Sequence, residues 1–371
     1  MENPFIISGY LSPDYFCDRE EETNRIISAL QNRRNITVTS IRRLGKTGLI
    51  KNVFYHLKNS NLRLLYVDIM SSGSLTEFIE ILSNAILLDE KTHSKDYLKK
   101  LSRLLTNIKA RLVFDHVTGI PAVEIGYAHH SEAEMSLEQI FGYLGKQKAS
   151  YVIAIDEFQQ IVHYKEKNME AILRTYIQQL NNVSFIFSGS NRRLLVSMFS
   201  DYGRPFYQST DFMFLNRIPK EIYAKFIHDQ FAKHKRQIER EDIVNILDYY
   251  DVYTFYVQSF YNRLFATGVK IINQELIEKV KAILLEEREY IFLNYKNLLT
   301  TNQFDLLKAV AKEEVVSQPT SKAFMKKHGF VQASSLRKIL QTLVDKDVVY
   351  QEDQHYKVSD LFFAKWLKMK Y

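Results

Sequence analysis

Five short runs of apolar and β-branched residues stand out in the first part of the chain: Ile36 to Thr39, Leu62 to Ile69, Tyr151 to Ile155, Val183 to Ser188 and Asp211 to Leu215. Stretches with helical spacing separate them. Alternation of this kind predicts an α/β domain, a parallel sheet with helices on both faces. Residues 75–112 read as two helices. Residues 113–128, with Thr118-Gly119-Ile120-Pro121, read as a hairpin or loop excursion before a helix that begins at Ser136.

The pattern changes at Pro219 and is almost purely helical to about Leu298. It changes again at Thr301. Gln303 to Ala311, Ser321 to His328 and Ser334 to Val344 read as three helices. Val348-Val349-Tyr350, a turn over Gln351 to Gln354, and His355 to Val358 then form a short hairpin ahead of a last helix from Asp360. Three helices and a β-wing describe a winged helix-turn-helix. The expected organisation is a core over residues 1–218, a helical lid over 219–298 and a winged helix over 299–371. The aromatic cluster Tyr249, Tyr250, Tyr253, Phe255, Tyr256, Phe260, Tyr261 reads as helical core, with a base-stacking face as the sharper alternative.

Composition removes several classes. Cys17 is the one cysteine in 371 residues, so neither an intrachain disulfide nor a cysteine-based metal site is expected. No apolar run approaches the ~20 residues of a membrane span. The acidic, proline-bearing start is unlike a signal peptide, and the expected location is the cytoplasm. The histidines show no metal-binding spacing, so no metal beyond Mg²⁺ is implied. Net charge is +7, and residues 301–371 hold twelve Lys/Arg against eight Asp/Glu. That excess suits either a solvated basic face or an anionic partner.

The chemistry-bearing segment is Ser40-Ile41-Arg42-Arg43-Leu44-Gly45-Lys46-Thr47, between the first strand and a helix with Leu49, Ile50, Val53, Phe54 and Leu57 on one face. Strand, loop and helix are the context a phosphate-binding P-loop requires. Backbone N–H groups there, through Gly48, can cradle phosphates. Lys46 would reach the β- and γ-phosphates of ATP and Thr47 would ligate Mg²⁺. Ser40 stands where the motif has glycine, and its Cβ restricts the backbone. The second half lies 110 residues beyond Lys46: the apolar strand Val152-Ile153-Ala154-Ile155 ends in Asp156 and Glu157. Asp156 would hold the Mg²⁺ shell, and Glu157 would orient or deprotonate the attacking water. Ser190, at the end of the fourth strand, reads as a γ-phosphate sensor or a helix cap. Arg204 reads as an arginine finger or a structural ion pair. Arg42 and Arg43 read as surface or subunit contacts.

These residues resemble the archaeal-type ATPases of the STAND branch of P-loop NTPases, relatives of AAA+ proteins. The resemblance runs over nearly the whole chain. Phe16-Cys17-Asp18-Arg19-Glu20 is similar to the family's F-x-G-R-E box, and Ser40 to Thr47 to its G-P-R-R-x-G-K-T loop. Ile155 to Gln159 matches its acidic strand end, and Ser188-Gly189-Ser190 its sensor strand. Asp251 to Val257 stands in place of its G-G-x-P-x-Y-L lid motif, with both glycines absent and Thr254 for proline. The resemblance implies an ASCE-type core with strand order 5-1-4-3-2, a lid and a winged helix. It implies ATP as ligand, with Phe16 and Arg19 near the adenine.

Three functions follow from these residues. The first is an ATP-driven switch with slow hydrolysis. The second is an ATP-dependent DNA-binding protein whose recognition helix presents Ser334, Ser335, Arg337, Lys338 and Gln341. The third is a non-hydrolysing module whose winged helix binds protein.

Overall fold

The computed structural model describes residues 2–93, 110–114, 121–125, 130–352 and 354–371. The chain forms two compact units. One is Ser8–Ile218; the other combines Met1–Ile7 with Pro219–Tyr371.

In the first unit, strands β1 (Ile36–Thr39), β2 (Leu62–Asp68), β5 (Ser150–Asp156), β6 (Val183–Gly189) and β7 (Asp211–Phe214) form one sheet in the order β2-β5-β6-β1-β7. All its pairings are parallel. Counting only these five strands, the order is 5-1-4-3-2. The middle strands are apolar almost throughout because both sheet faces are covered. Successive residues of β5 therefore serve opposite layers. Ile153 and Ile155 join a cluster with Phe78, Phe141, Phe185 and Phe187. Val152 and Ala154 join Ile26, Leu49, Val53 and Ile186 on the other face.

Among the described residues, the α-helices of this unit are α1 (Glu20–Gln31), α2 (Lys46–Leu57), α3 (Leu75–His93), α4 (His130–Gly145), α5 (Met169–Ile177) and α6 (Arg192–Ser200). The expected second helix over the end of 75–112 is corrected where it can be seen. Residues 110–112 belong to strand β3 (Ala110–Phe114), which pairs antiparallel with β4 (Pro121–Ile125). The hairpin thus begins earlier than its sequence pattern suggested, and its turn residues lie outside the described ones. Helix α4 likewise starts ahead of Ser136.

The second unit begins with α7 (Lys220–Lys233), α8 (Arg240–Tyr249), α9 (Thr254–Ala266), α10 (Gln274–Glu286) and α11 (Glu289–Leu298). Tyr250, Tyr256, Phe260 and Tyr261 are buried, so the greater part of the aromatic cluster is core. The turn from α8 to α9 is strained: Asp251 and the β-branched Val252 have φ of 49° and 52°. Those are the two positions where the lid motif has glycine. Phe5 is fully buried, its ring 5.5 Å from Phe231 and 5.3 Å from Tyr261. Asn3 Nδ2 donates to Asn262 O (2.8 Å) and Asn262 Nδ2 to Phe5 O (2.6 Å). The first residues of the chain are thereby fastened to α9.

The winged helix follows: α12 (Thr301–Glu313), α13 (Lys322–His328), α14 (Ala333–Asp345), the β8–β9 hairpin (Val349–Glu352, His355–Val358) and α15 (Leu361–Lys370). Val316 and Tyr356 exchange backbone bonds of 3.0 and 2.8 Å, adding a third edge to the wing. Thr300 and Gln303 close a capping box at the start of α12. Phe362, Phe363 and Trp366 of α15 are buried, and Phe363 stacks on Phe292 of α11 at 5.2 Å. Among the described residues no helix is long and apolar enough to cross a membrane.

Candidate nucleotide site

The loop between β1 and α2 turns through left-handed backbone at Arg43 (φ 70°) and at Gly45 (φ 92°), the residue before the first turn of α2. Such a turn directs N–H groups into a concavity beside the helix N-terminus, the arrangement that binds phosphate. Ser40 is not among the left-handed residues. The backbone objection to a side chain at that position therefore falls away, and its hydroxyl has partners instead. Ser40 Oγ donates to Ile41 O at 2.7 Å, and Lys46 Nζ donates to Ser40 Oγ at 3.1 Å. Leu44 is buried and anchors the loop.

Lys46 is buried. Burial pulls its ammonium below the usual lysine range; the facing Glu157 and Asp156 carboxylates oppose that shift, and Arg42 adds to it. The Lys46 ammonium therefore lies buried at the N-terminus of α2, facing both carboxylates.

Asp156 ends β5 and Glu157 follows it, and the sheet brings both to the loop. Asp156 Oδ2 accepts from Thr47 Oγ1 (2.7 Å) and Tyr66 Oη (2.6 Å). Its Oδ1 accepts from Ser188 Oγ and from the backbone N–H of Glu157 (3.1 Å). Glu157 has φ of 56°, which turns its side chain away from the strand direction. Its Oε2 accepts three bonds: Gln159 Nε2 at 2.6 Å, Ser190 N at 3.1 Å and Ser190 Oγ at 2.9 Å. Arg42 Nε reaches Ser190 Oγ at 3.3 Å, which joins the loop to the same network. The cap of α6 is Asn191, whose side chain accepts from Leu194 N, so Ser190 does not serve as the helix cap. Gly189 is needed for this packing: a Cβ there would lie 1.8 Å from Gln159 Oε1.

The other anticipated residues lie around this centre. Phe16 Cε2 would be 3.3 Å from a Cβ at Gly48, so the glycine lets the ring rest on the first turn of α2. Tyr10 packs edge-on against Phe16 at 5.7 Å. Arg19, left-handed at φ 72°, donates to Glu22 Oε1 (2.8 Å) and to Asn216 O (2.6 Å). Arg204 forms an ion pair with Glu170 of α5 at 2.7 Å, apart from the Asp156–Glu157 network.

Ser188 and Gln159 lie in the segments matched to the family's motifs without a role of their own there, and Tyr66 lies in none of them. Tyr66 is partly buried; burial first, and then Asp156, push its phenol well above the ordinary tyrosine range, so it stays a donor at neutral pH. Asp68, level with Asp156 in the paired strands, is raised chiefly by burial.

A parallel 5-1-4-3-2 sheet, a phosphate loop and a strand-end carboxylate pair define a P-loop ATPase. Residues 16–260 match the family model described as an ATPase domain predominantly from Archaea, and the chain belongs to that family. Residues 290–369 match a probable winged helix domain. Among solved structures the chain is similar to a Walker-type ATPase of Pyrococcus abyssi, at 18% identity and TM-score 0.65 over 98% of this chain and 99% of that one. It is also similar to the ORC2 protein of Aeropyrum pernix in its ADPNP–ADP complexes (15%, TM-score 0.58, 95% and 92% covered). The ORC1 protein of the same organism in complex with DNA matches at 10%, TM-score 0.55, over 96% and 94% of the two chains. No curated protein matches significantly.

Proposed function

We propose that the chain binds ATP with Mg²⁺ and hydrolyses it slowly, as a nucleotide-driven switch of the STAND branch. The observation that carries this reading is the convergence of Lys46, Thr47, Asp156, Glu157 and Ser190 at one loop. Lys46 would leave Ser40 and bind the β- and γ-phosphates. Thr47 and Asp156 fit the Mg²⁺ that accompanies ATP: the Thr47 hydroxyl spends its one proton on Asp156 and keeps its lone pairs for a cation. That ion would neutralise phosphate charge. Glu157 would orient the attacking water and accept its proton, and Ser190 would hold Glu157 in place. Arg204 is assigned to its ion pair with Glu170. Phe16 and Arg19 are assigned to the adenine side of the site.

A melting experiment tests the binding half. ATP at ~100 times its Kd should stabilise the fold by ~2.7 kcal/mol, and Lys46→Ala should abolish the shift. A shift retained in that variant would place the nucleotide elsewhere.

A second reading adds DNA. On α14, Ser334, Ser335, Arg337, Lys338 and Gln341 are exposed, whereas Leu336, Leu340 and Leu343 are buried. Arg337 and Lys338 are thus available to phosphates, as an ATP-dependent DNA-binding winged helix requires. A protein partner is the alternative occupant, and salt-dependent DNA titration separates the two.

A further inference from the structure

We infer that Tyr66 is a positioning residue for the divalent cation, acting through Asp156; this rests on the ATP–Mg²⁺ reading and deepens it. Tyr66 lies opposite Ala154 in the parallel β2–β5 pair, two residues short of the level of Asp156. Residues two apart on a strand share a face. The Tyr66 ring packs with the cluster that contains Ala154, and its phenol reaches up the neighbouring strand to Asp156 Oδ2 at 2.6 Å. The same oxygen takes the Thr47 hydroxyl at 2.7 Å. The Lys51 ammonium, one turn beyond Thr47 on α2, lies 5.5 Å from the centre of the Tyr66 ring and flanks it.

Asp156 is therefore oriented by donors from four sources: α2, β2, β6 and its own chain at Glu157. A carboxylate has about four lone-pair sites, and these donors use them. Such a carboxylate suits an outer role, holding the Thr47 hydroxyl for the cation rather than binding the cation itself. Tyr66 fixes the oxygen on which Thr47 depends. Without the phenol, Oδ2 keeps only the Thr47 donor, and the orientation it gives Thr47 is loosened. The loss falls on the cation and spares the phosphate contacts of Lys46 and the loop N–H groups.

The test is Tyr66→Phe in the full chain, which keeps the ring and removes only the hydroxyl. ATP-induced melting shifts are measured against free Mg²⁺, and again in EDTA. Tyr66→Phe should need roughly 10-fold more Mg²⁺ to reach half of its maximal shift, the usual scale for outer-shell partners of a metal ligand. Its shift in EDTA should equal that of the wild type. A Mg²⁺ midpoint unchanged in Tyr66→Phe would overturn the inference while leaving the ATP site intact, as would a lowered nucleotide-free melting temperature with the midpoint unmoved. A wild type that shows no ATP shift at any Mg²⁺ concentration would overturn the ATP-site reading and this inference with it.

Discussion

Lys46 is buried and faces two carboxylates, yet burial still wins and lowers its pKa. The sign of the linkage follows. The folded state disfavours the ammonium relative to the unfolded chain, so at every pH below the lowered pKa the charge costs stability. That cost fades as pH rises through the lowered pKa toward the ordinary lysine value. Lys46→Met, which keeps the length and removes the charge, should therefore melt a few degrees higher than wild type at neutral pH without nucleotide, since ~1 kcal/mol moves a domain of this size by ~2–4 °C. The gap should narrow on the alkaline side. A lower melting point for Lys46→Met would mean that Asp156 and Glu157 outweigh burial. Ser40 is the companion case. Its identity was legible and its backbone consequence was not, because the conformational objection to a side chain holds only where the backbone is left-handed. The left-handed positions are Arg43 and Gly45.

At the scale of elements, the sheet was legible because β1, β5 and β6 are apolar runs that end in loop chemistry. The positions of Lys46, Thr47, Asp156 and Glu157 could be placed from that alone. The contacts of Tyr66, Ser188 and Gln159 could not, although the last two stand in the motif segments. Their contacts depend on which residues stand level in neighbouring strands, and on a 3₁₀ turn at Phe158–His163 that carries Gln159 back to Glu157. The β3 residues 110–112 were read as helix because a short apolar run fits both periods. The α8–α9 turn keeps the left-handed geometry of a glycine pair while bearing Asp251 and Val252, which no propensity rule anticipates. Helix α14 is the opposite case: its stripe of Leu336, Leu340 and Leu343 leaves Arg337 and Lys338 in solvent, as its spacing requires. If DNA is the partner, each lost phosphate contact should lower the log–log salt slope by ~0.9. Arg337→Ala with Lys338→Ala should then weaken DNA binding at every sequence and flatten its salt dependence, with ATP binding unchanged. Wild-type binding no tighter than millimolar at low salt, with or without ATP, would assign this face to protein.

The whole molecule is joined across its two units twice, at residues 7–8 and 218–219. Both crossings have anchors nearby. Phe5 is buried against α7 and α9, and Arg19 holds the Asn216 carbonyl two residues before the second crossing. The N-terminal anchor was hidden from the sequence because the apolar run Phe5-Ile6-Ile7 is too short to show a period. In the proposed account the ATP chemistry lies within Ser8–Ile218 alone. Everything in that account depends on chemistry at Glu157, which Ser190 and Gln159 hold by one oxygen. A water-orienting carboxylate acts mainly in the transition state, so its loss should slow turnover and spare binding. The direct measurement is ATP turnover by Glu157→Gln beside its ATP-induced melting shift. The account predicts a rate lower by about two or more orders of magnitude with the shift retained; a variant that hydrolyses ATP as fast as wild type would contradict it.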